Sequence, residues 1–227
     1  MFLGRRSRQA ECFDDQGRPA EEISQDYAQL ARINRVFRHA DPFSRRLARE
    51  APEGPWRRVK VLEVGAGVGQ LAIELQEWAA RRGWAWEFTC LDLNTVGIEQ
   101  NPIPRKVVGD ATNLPFAEGS FDLVMASQMT HHLTDDGVVA HLREGWRVAR
   151  RRLIVSDLHR NAFLYGLIRV VMPCMGLAPH LIADGLLSVR RGFRVGEWME
   201  MARAAGIEGA KVSVDFGCRI VLDAVKD

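Results

Sequence analysis

The spacing of apolar positions changes along the chain, and each change predicts a different kind of element. Residues 1–20 are polar and carry Gly17 and Pro19, which predicts a poorly ordered arm. From Glu21 the apolar residues Ile23, Tyr27, Leu30, Ile33, Val36 and Phe37 recur at steps of three and four, the period of a helix. Asp41-Pro42 interrupts that pattern and predicts a cap for a second short helix over 43–50, followed by a linker at 51–55 rich in proline and glycine.

Beyond the linker, short apolar runs alternate with helical patterns. Lys60–Val64, Glu87–Leu91, Phe121–Ser127 and Arg152–Ser156 read as buried strands. Gln70–Arg82 and Asp135–Val148 read as helices, the first with Leu71, Leu75 and Trp78 on one face. Pro102 and Pro104 leave no room for a long helix between 95 and 108, so Arg105–Gly109 is expected as an edge strand. Strand and helix in alternation imply right-handed crossovers and a mostly parallel sheet covered on both faces. Asn161–Met172 and Val195–Ala205 are helical, with Gly206 at a C-cap position. The strands Ala210–Phe216 and Arg219–Ala224 close the pattern, joined by Gly217-Cys218 as an antiparallel hairpin.

Composition narrows the class. A chain of 227 residues, 47% hydrophobic and 26% charged, fits one α/β domain with an appended lid. The formal net charge of +2 offers no strong field for nucleic acid, and clusters such as Arg150-Arg151-Arg152 read as solvated faces. The four cysteines form no C-x-x-C pair, so neither a metal site nor a disulfide framework is expected, and a cytoplasmic location is the default. No signal peptide is visible, and the apolar stretch 162–178, broken by Arg169 and Pro173, is too short to span a bilayer.

The chemistry begins at Val61-Leu-Glu-Val-Gly-Ala-Gly-Val-Gly69, where a buried strand turns into a helix through three glycines. Such a turn admits a ligand to the backbone without meeting a Cβ. No Gly-Lys-Ser/Thr follows, which excludes a phosphate-binding P-loop, and Gln70 stands where a dinucleotide fingerprint needs glycine.

This segment resembles the first motif of the class I S-adenosylmethionine methyltransferases, and three later segments resemble that family in the same order. These are Leu91-Asp92-Leu93, Gly109-Asp110-Ala111 through Phe116, and Ser120-Phe121-Asp122-Leu123-Val124 with His131-His132-Leu133 after it. The likeness covers roughly 60–156 and is nearest to the UbiE-like small-molecule group. It implies a Rossmann-like three-layer sandwich, with a seven-stranded, mostly parallel sheet, a terminal antiparallel hairpin and an N-terminal helical lid. Residues 1–55 would be arm and lid, and 56–227 the methyltransferase domain with an insertion at 161–193. S-adenosyl-L-methionine is the implied cofactor and S-adenosyl-L-homocysteine its product. Glu63, Gly65, Ala66, Gly67, Gly69, Asp92, Leu93, Asp110, Ala111 and Ser127 are the implied contacts. Asp92 would take the ribose hydroxyls and Asp110 the adenine amino group. Glu63 is read either as a contact or as the buried partner of a lid residue.

Methyl transfer needs alignment, exclusion of water and at most one base. His131, His132 and His159 lie past strand ends at the carboxyl edge, where open α/β sheets bind ligands, and are the candidate catalytic groups, although His131-His132 could be structural. A looser likeness of 156–160 and 183–193 to bacterial methyltransferases near polyketide and isoprenoid genes draws in Asp157, His159 and Asp184, as a site wall or as helix caps, and His180 lies with Asp184 in the apolar insertion. Tyr27, Phe37, His159, Tyr165, His180 and Asp184 are the candidate acceptor contacts. The apolar excess in the lid and insertion suggests a greasy or aromatic acceptor for O- or C-methylation, in polyketide, quinone or isoprenoid metabolism. It could equally form a dimer interface in place of a monomer surface, or a membrane-surface contact through 162–178. The competing readings are an RNA methyltransferase and a non-catalytic cofactor-binding partner subunit. Against the first stand the low charge and Ser127-Gln128-Met129-Thr130 in place of an amino-methylation motif.

Overall fold

The computed structural model describes residues 3–15, 17–49 and 57–226; Glu50 and the linker expected at 51–55 lie outside them. The apolar runs form strands Arg58–Val64 (β1), Ala85–Asp92 (β2), Arg105–Val108 (β3), Phe121–Ser127 (β4), Ala149–Leu158 (β5), Lys211–Asp215 (β6) and Arg219–Val225 (β7). They make one seven-stranded sheet in the order β3-β2-β1-β4-β5-β7-β6. β1 is central, with Val61 paired to Phe88 on one side and Leu123 on the other, both parallel. β7 runs antiparallel to β5 and to β6. The carboxyl ends of β1, β2, β4 and β5 therefore share one edge with the first residue of β7. That edge positions the site.

Eight α-helices accompany the sheet among the described residues: Ala20–Val36 (α1), Asp41–Leu47 (α2), Gln70–Ala80 (α3), Thr95–Gln100 (α4), Asp135–Val148 (α5), Ala162–Cys174 (α6), Pro179–Arg191 (α7) and Val195–Ala204 (α8). Local chemistry starts several of them. The side-chain oxygens of Asn94, Thr134 and Asn161 accept from the backbone N–H groups of Gly97, Gly137 and Leu164 at 3.0, 3.1 and 2.8 Å. Alternate residues of each central strand serve opposite cores. Leu62, Val64, Val124 and Leu153 pack with Leu142 and Trp198 under α5 and α8, and Val61, Leu123, Met125 and Ile154 pack with Leu71 and Leu75 of α3. A third cluster joins Leu158 to Leu164, Ile168, Met172 and Val189 of α6 and α7.

Four expectations change. The arm is folded: Ser7 N–H donates to Arg190 O at 2.9 Å, and the Asp184 carboxylate accepts from Cys12 and Phe13 N–H at 2.9 and 3.0 Å. Its order comes from contacts with residues 170 positions away, which local polarity does not register. α2 begins at Asp41 instead of Phe43, and it is core more than lid, because Phe43 and Leu47 are fully buried in the α3 cluster. The insertion contains α7, whose inward face carries Asp184 and Ser188 and so lacks a clean apolar stripe. The hairpin connection is Phe216–Cys218, with Cys218 N–H donating to Asp215 O at 3.1 Å and φ of +50° and +70° at Phe216 and Gly217. Positive φ at both positions matches the right-handed twist of the strands.

Within 162–178, Phe163 and Val170 are 63% and 67% exposed, whereas Leu164, Ile168 and Met172 face inward. No described helix is long and apolar enough to cross a membrane. Because α2 completes a core, Phe43→Ala is expected to cost about 3–5 kcal/mol, read from urea unfolding. An unchanged midpoint would return α2 to the lid.

Candidate active site

The cradle begins where β1 ends. Gly67, at φ +47°, has no room for a Cβ, which would stand 2.7 Å from the Tyr27 ring. Tyr27 of α1 thus lies directly over the loop, braced edge-on by Phe13 at 5.1 Å between ring centroids. Gly69 is required for a different reason. It starts α3 at φ +76° and a Cβ there would strike the Asn101 amide at 2.3 Å. Gly65, Ala66 and Gly67 line a cavity of about 920 Å3, and Gly69 does not. Gly69 thus packs against Asn101 and stands outside the cavity wall.

Asp92, at the end of β2, accepts from Gly67 N–H at 2.6 Å through one oxygen and from Asn94 N–H at 2.8 Å through the other. Burial pushes its carboxyl up, and these backbone donors pull it back toward the charged form. Each oxygen keeps a lone pair for a further donor. Glu63 is buried, accepts from Ala72 N–H at 3.0 Å, and is raised by burial to about 8. It holds the start of α3 and lines the cavity, and among the described residues it makes no hydrogen bond to the lid. Leu93, Asp110, Ala111 and Ser127 line the same cavity. Asp110 is exposed and accepts from the backbone and hydroxyl of Thr112 at 2.7 and 2.8 Å, while the Ser127 hydroxyl is buried without a hydrogen-bond partner.

Across the cavity, two histidines are held by carboxylates. Asp157, with no exposure at the end of β5, accepts from His131 Nδ1 at 2.7 Å and from the N–H groups of His131 and Leu158 at 2.9 and 2.6 Å. Burial works to raise its carboxyl, but His131 and the backbone donors outweigh it and hold Asp157 below the usual range. Asp14 of the arm likewise holds His132 Nδ1 and Arg191, and is driven far below the usual carboxylate range despite its burial. Ionised Asp157 and Asp14 require Nδ1 to carry a hydrogen, which fixes the tautomer in which Nε2 holds the lone pair of the neutral ring. Both lone pairs face Glu11, at 3.7 Å from His131 and 4.0 Å from His132. Glu11 is 5% exposed, its Oε1 has no hydrogen-bond partner, and burial raises it to about 7 against the pull of His132 and Arg191. Three acceptors within 4.8 Å of one another could hold a divalent cation, although Arg191 already brings positive charge to 3.6 Å from Glu11.

Comparison with known proteins decides the family. Residues 62–154 match the family model described as a methyltransferase domain. A demethylmenaquinone methyltransferase of Roseiflexus sp. is 36% identical over 103 residues, 44% of this chain and 42% of that protein. One of Mycolicibacterium vanbaalenii is 34% identical over 183 residues, three quarters (75%) of each chain. The chain belongs to the S-adenosylmethionine-dependent methyltransferases. The first of those relatives is matched over about two fifths of its length. The fold is that of magnesium protoporphyrin IX methyltransferase from Synechocystis, solved with bound S-adenosylhomocysteine, at a TM-score of 0.54, 18% identity, and coverage of 83% of this chain and 82% of that one.

The cradle of this methyltransferase fits the donor. Asp92 has acceptor capacity left for a diol, and exposed Leu93 and buried Ala111 flank the cavity where an adenine would lie. Of the candidate acceptor contacts, Tyr27, Phe37 and Asp184 line the cavity, with Asp184 spent on the arm backbone. Three candidates stand elsewhere. His159 turns toward the hairpin, its Nδ1 2.8 Å from Asn161 Nδ2. His180 contacts Asp26 at 2.8 Å, and Tyr165 packs in the α6–α7 cluster. Position after a strand end does not say which way a side chain turns, and for His159 it turns away. Glu11 and Arg219 line the cavity and were missed, since an arm read as disordered and the first residue of a strand carry no local signal.

Asp92→Ala is expected to abolish the rise in Tm that S-adenosylmethionine gives the wild type, measured by thermal shift. Glu63 has its folded pKa raised above the unfolded value, so its contribution to stability is fully present at acid pH and lost as pH rises from about 4.5 to about 8. Glu63→Gln should therefore gain stability relative to wild type across that window in urea titrations, and a pH-independent difference would contradict the assignment.

Proposed function

We propose that this enzyme methylates a hydroxyl oxygen of a small, largely apolar aromatic acceptor, with His131 as general base. The carboxylate-held His131, lining the cavity beside the donor cradle, is the observation that carries this reading. The donor supplies an electrophilic methyl group. Asp157 fixes the His131 tautomer so that Nε2 can take the hydroxyl proton as the oxygen attacks, and Glu11, raised by burial, can receive it next. Ile33, Phe37, Leu164, Ile168 and Met172 give the acceptor an apolar wall and exclude water from the transfer. The reading is metal-free, since the Arg191 guanidinium supplies the positive charge at Glu11. The names of the quinone-methylating relatives support an aromatic acceptor of the polyketide, quinone or isoprenoid kind. The free cysteines support a cytoplasmic setting. Neither the charge nor the cavity favours nucleic acid.

A panel of phenols and hydroquinones with a labelled methyl donor tests the proposal, and no labelled product would sink it. With an accepted substrate, His131→Ala should lower kcat by about 10²–10⁴-fold. Asp157→Asn should act in the same direction through the tautomer, and chelator treatment should leave kcat unchanged.

A further inference from the structure

Among the described residues, the buried arginines are paired, with one exception. Arg152 forms two bonds to Asp223 at 2.8 and 2.9 Å, Arg160 reaches Gly192 O and Glu197, and Arg191 holds Asp14 and the carbonyls of His131 and His132. Arg219 is as buried as these, at 7% exposure, yet among the described residues its guanidinium makes no hydrogen bond or ion pair, and Nη1 is enclosed without a partner. The carboxylate whose field reaches it, Asp157, has its oxygens taken by His131 and two backbone N–H groups. His39, on the other side, is kept neutral by burial and then by the charge of Arg219, pushed down to about 4. Burial, opposed by the field of Asp157, lowers Arg219 to about 10, still protonated at neutral pH.

An unpaired guanidinium in an enclosed place is costly, and replacing such a charge with an apolar residue of similar shape commonly stabilises a protein. The place is not random. Arg219 opens β7 opposite Leu158, at the carboxyl edge of β5, and lines the same cavity as the donor cradle. β7 stands two strands from β4, roughly 10 Å at the usual spacing, and three from β1. That separation puts the guanidinium in the acceptor half, at the end remote from the glycine loop. The cavity that it lines also carries the apolar residues Phe37, Leu158, Leu164 and Ile168.

We infer that Arg219 is an anion subsite for the acceptor, so that the preferred substrate is an aromatic acid whose carboxylate pairs with Arg219 while a hydroxyl on the same ring faces His131. The inference rests on the acceptor reading above and adds the charge of the substrate to it. A planar carboxylate matches the guanidinium fork, and the burial of Arg219 strengthens the bond by limiting access of water. Discrimination follows from the same physics, because a neutral acceptor leaves the charge buried and unpaired.

The test compares 2,4-dihydroxybenzoate with its methyl ester, which keeps the ring and hydroxyls but removes the charge, by calorimetric titration into enzyme saturated with S-adenosylhomocysteine. The acid is expected to bind at least about tenfold more tightly to wild type, a difference of roughly 1.4 kcal/mol or more. Arg219→Met should abolish that preference, Arg219→Lys should retain part of it, and Arg219→Met should raise the Tm of the ligand-free protein. An unchanged donor-induced Tm shift in Arg219→Met shows that the cradle is intact. Equal binding of acid and ester by wild type, including none of either, overturns the anion subsite, as does a preference that survives Arg219→Met. Labelled product from neutral phenols with no preference for acids would reject the subsite and leave the methyltransferase reading standing. The absence of product from every phenol would remove the acceptor reading itself.

Discussion

A carboxylate that water does not reach sets the terms for one half of this molecule. Asp157 ends β5 with no exposure, and a charge so placed must be compensated on the spot. Its oxygens are satisfied by the His131 ring and by the N–H groups of His131 and Leu158. Those bonds fix the turn after β4. The turn's carbonyls, of His131 and His132, are then claimed by Arg191 at the end of α7. Arg191 and His132 in turn hold Asp14, and Asp184 of α7 holds the arm backbone at Cys12 and Phe13. The arm, α7 and the turn after β4 are thus one polar network with Asp157 at its root, and the network arranges the wall of the acceptor cavity.

The donor half is built differently. There the constraint is steric and local: a tight turn, a glycine under the Tyr27 ring, a carboxylate at the end of the next strand. Its residues lie within a short stretch of chain, on adjacent parallel strands whose register is set by apolar alternation. α1 is joined to it by a polar chain in which Gln128 Nε2 donates to Asn34 Oδ1 at 2.9 Å and Asn34 Nδ2 to Gln70 Oε1 at 3.4 Å. Gln128 adopts φ +53° to make that link, an uncommon conformation for a side-chain-bearing residue. The backbone strain sits between the two halves of the cavity.

Several unsatisfied polar groups belong to the cavity wall. Glu11 Oε1, Ser127 Oγ and Arg219 Nη1 are buried with no hydrogen-bond partner among the described residues, and all belong to residues of the cavity wall. Others lie away from the cavity, among them His141 Nε2 on the buried face of α5 and Trp198 Nε1 in the core beneath it.

The amino-acid sequence by itself determined the sheet, the order of most elements, and the donor cradle. Those features depend on period, on glycine at a strand-to-helix turn, and on carboxylates at strand ends, all of which are properties of neighbouring residues. Phe121–Ser127 and Asp135–Val148 appear in the structure with the boundaries their patterns predict. Only the tertiary structure decided the acceptor half. The fold of the arm, the helix over 179–191, the outward turn of His159, and the isolation of Arg219 arise from pairs such as Arg6 with Asp135 and Asp14 with His132, 129 and 118 residues apart. Polar groups at such separations have no period to betray them. Whether a buried charge finds a partner is settled by which distant segments meet around it, and local pattern is silent on that.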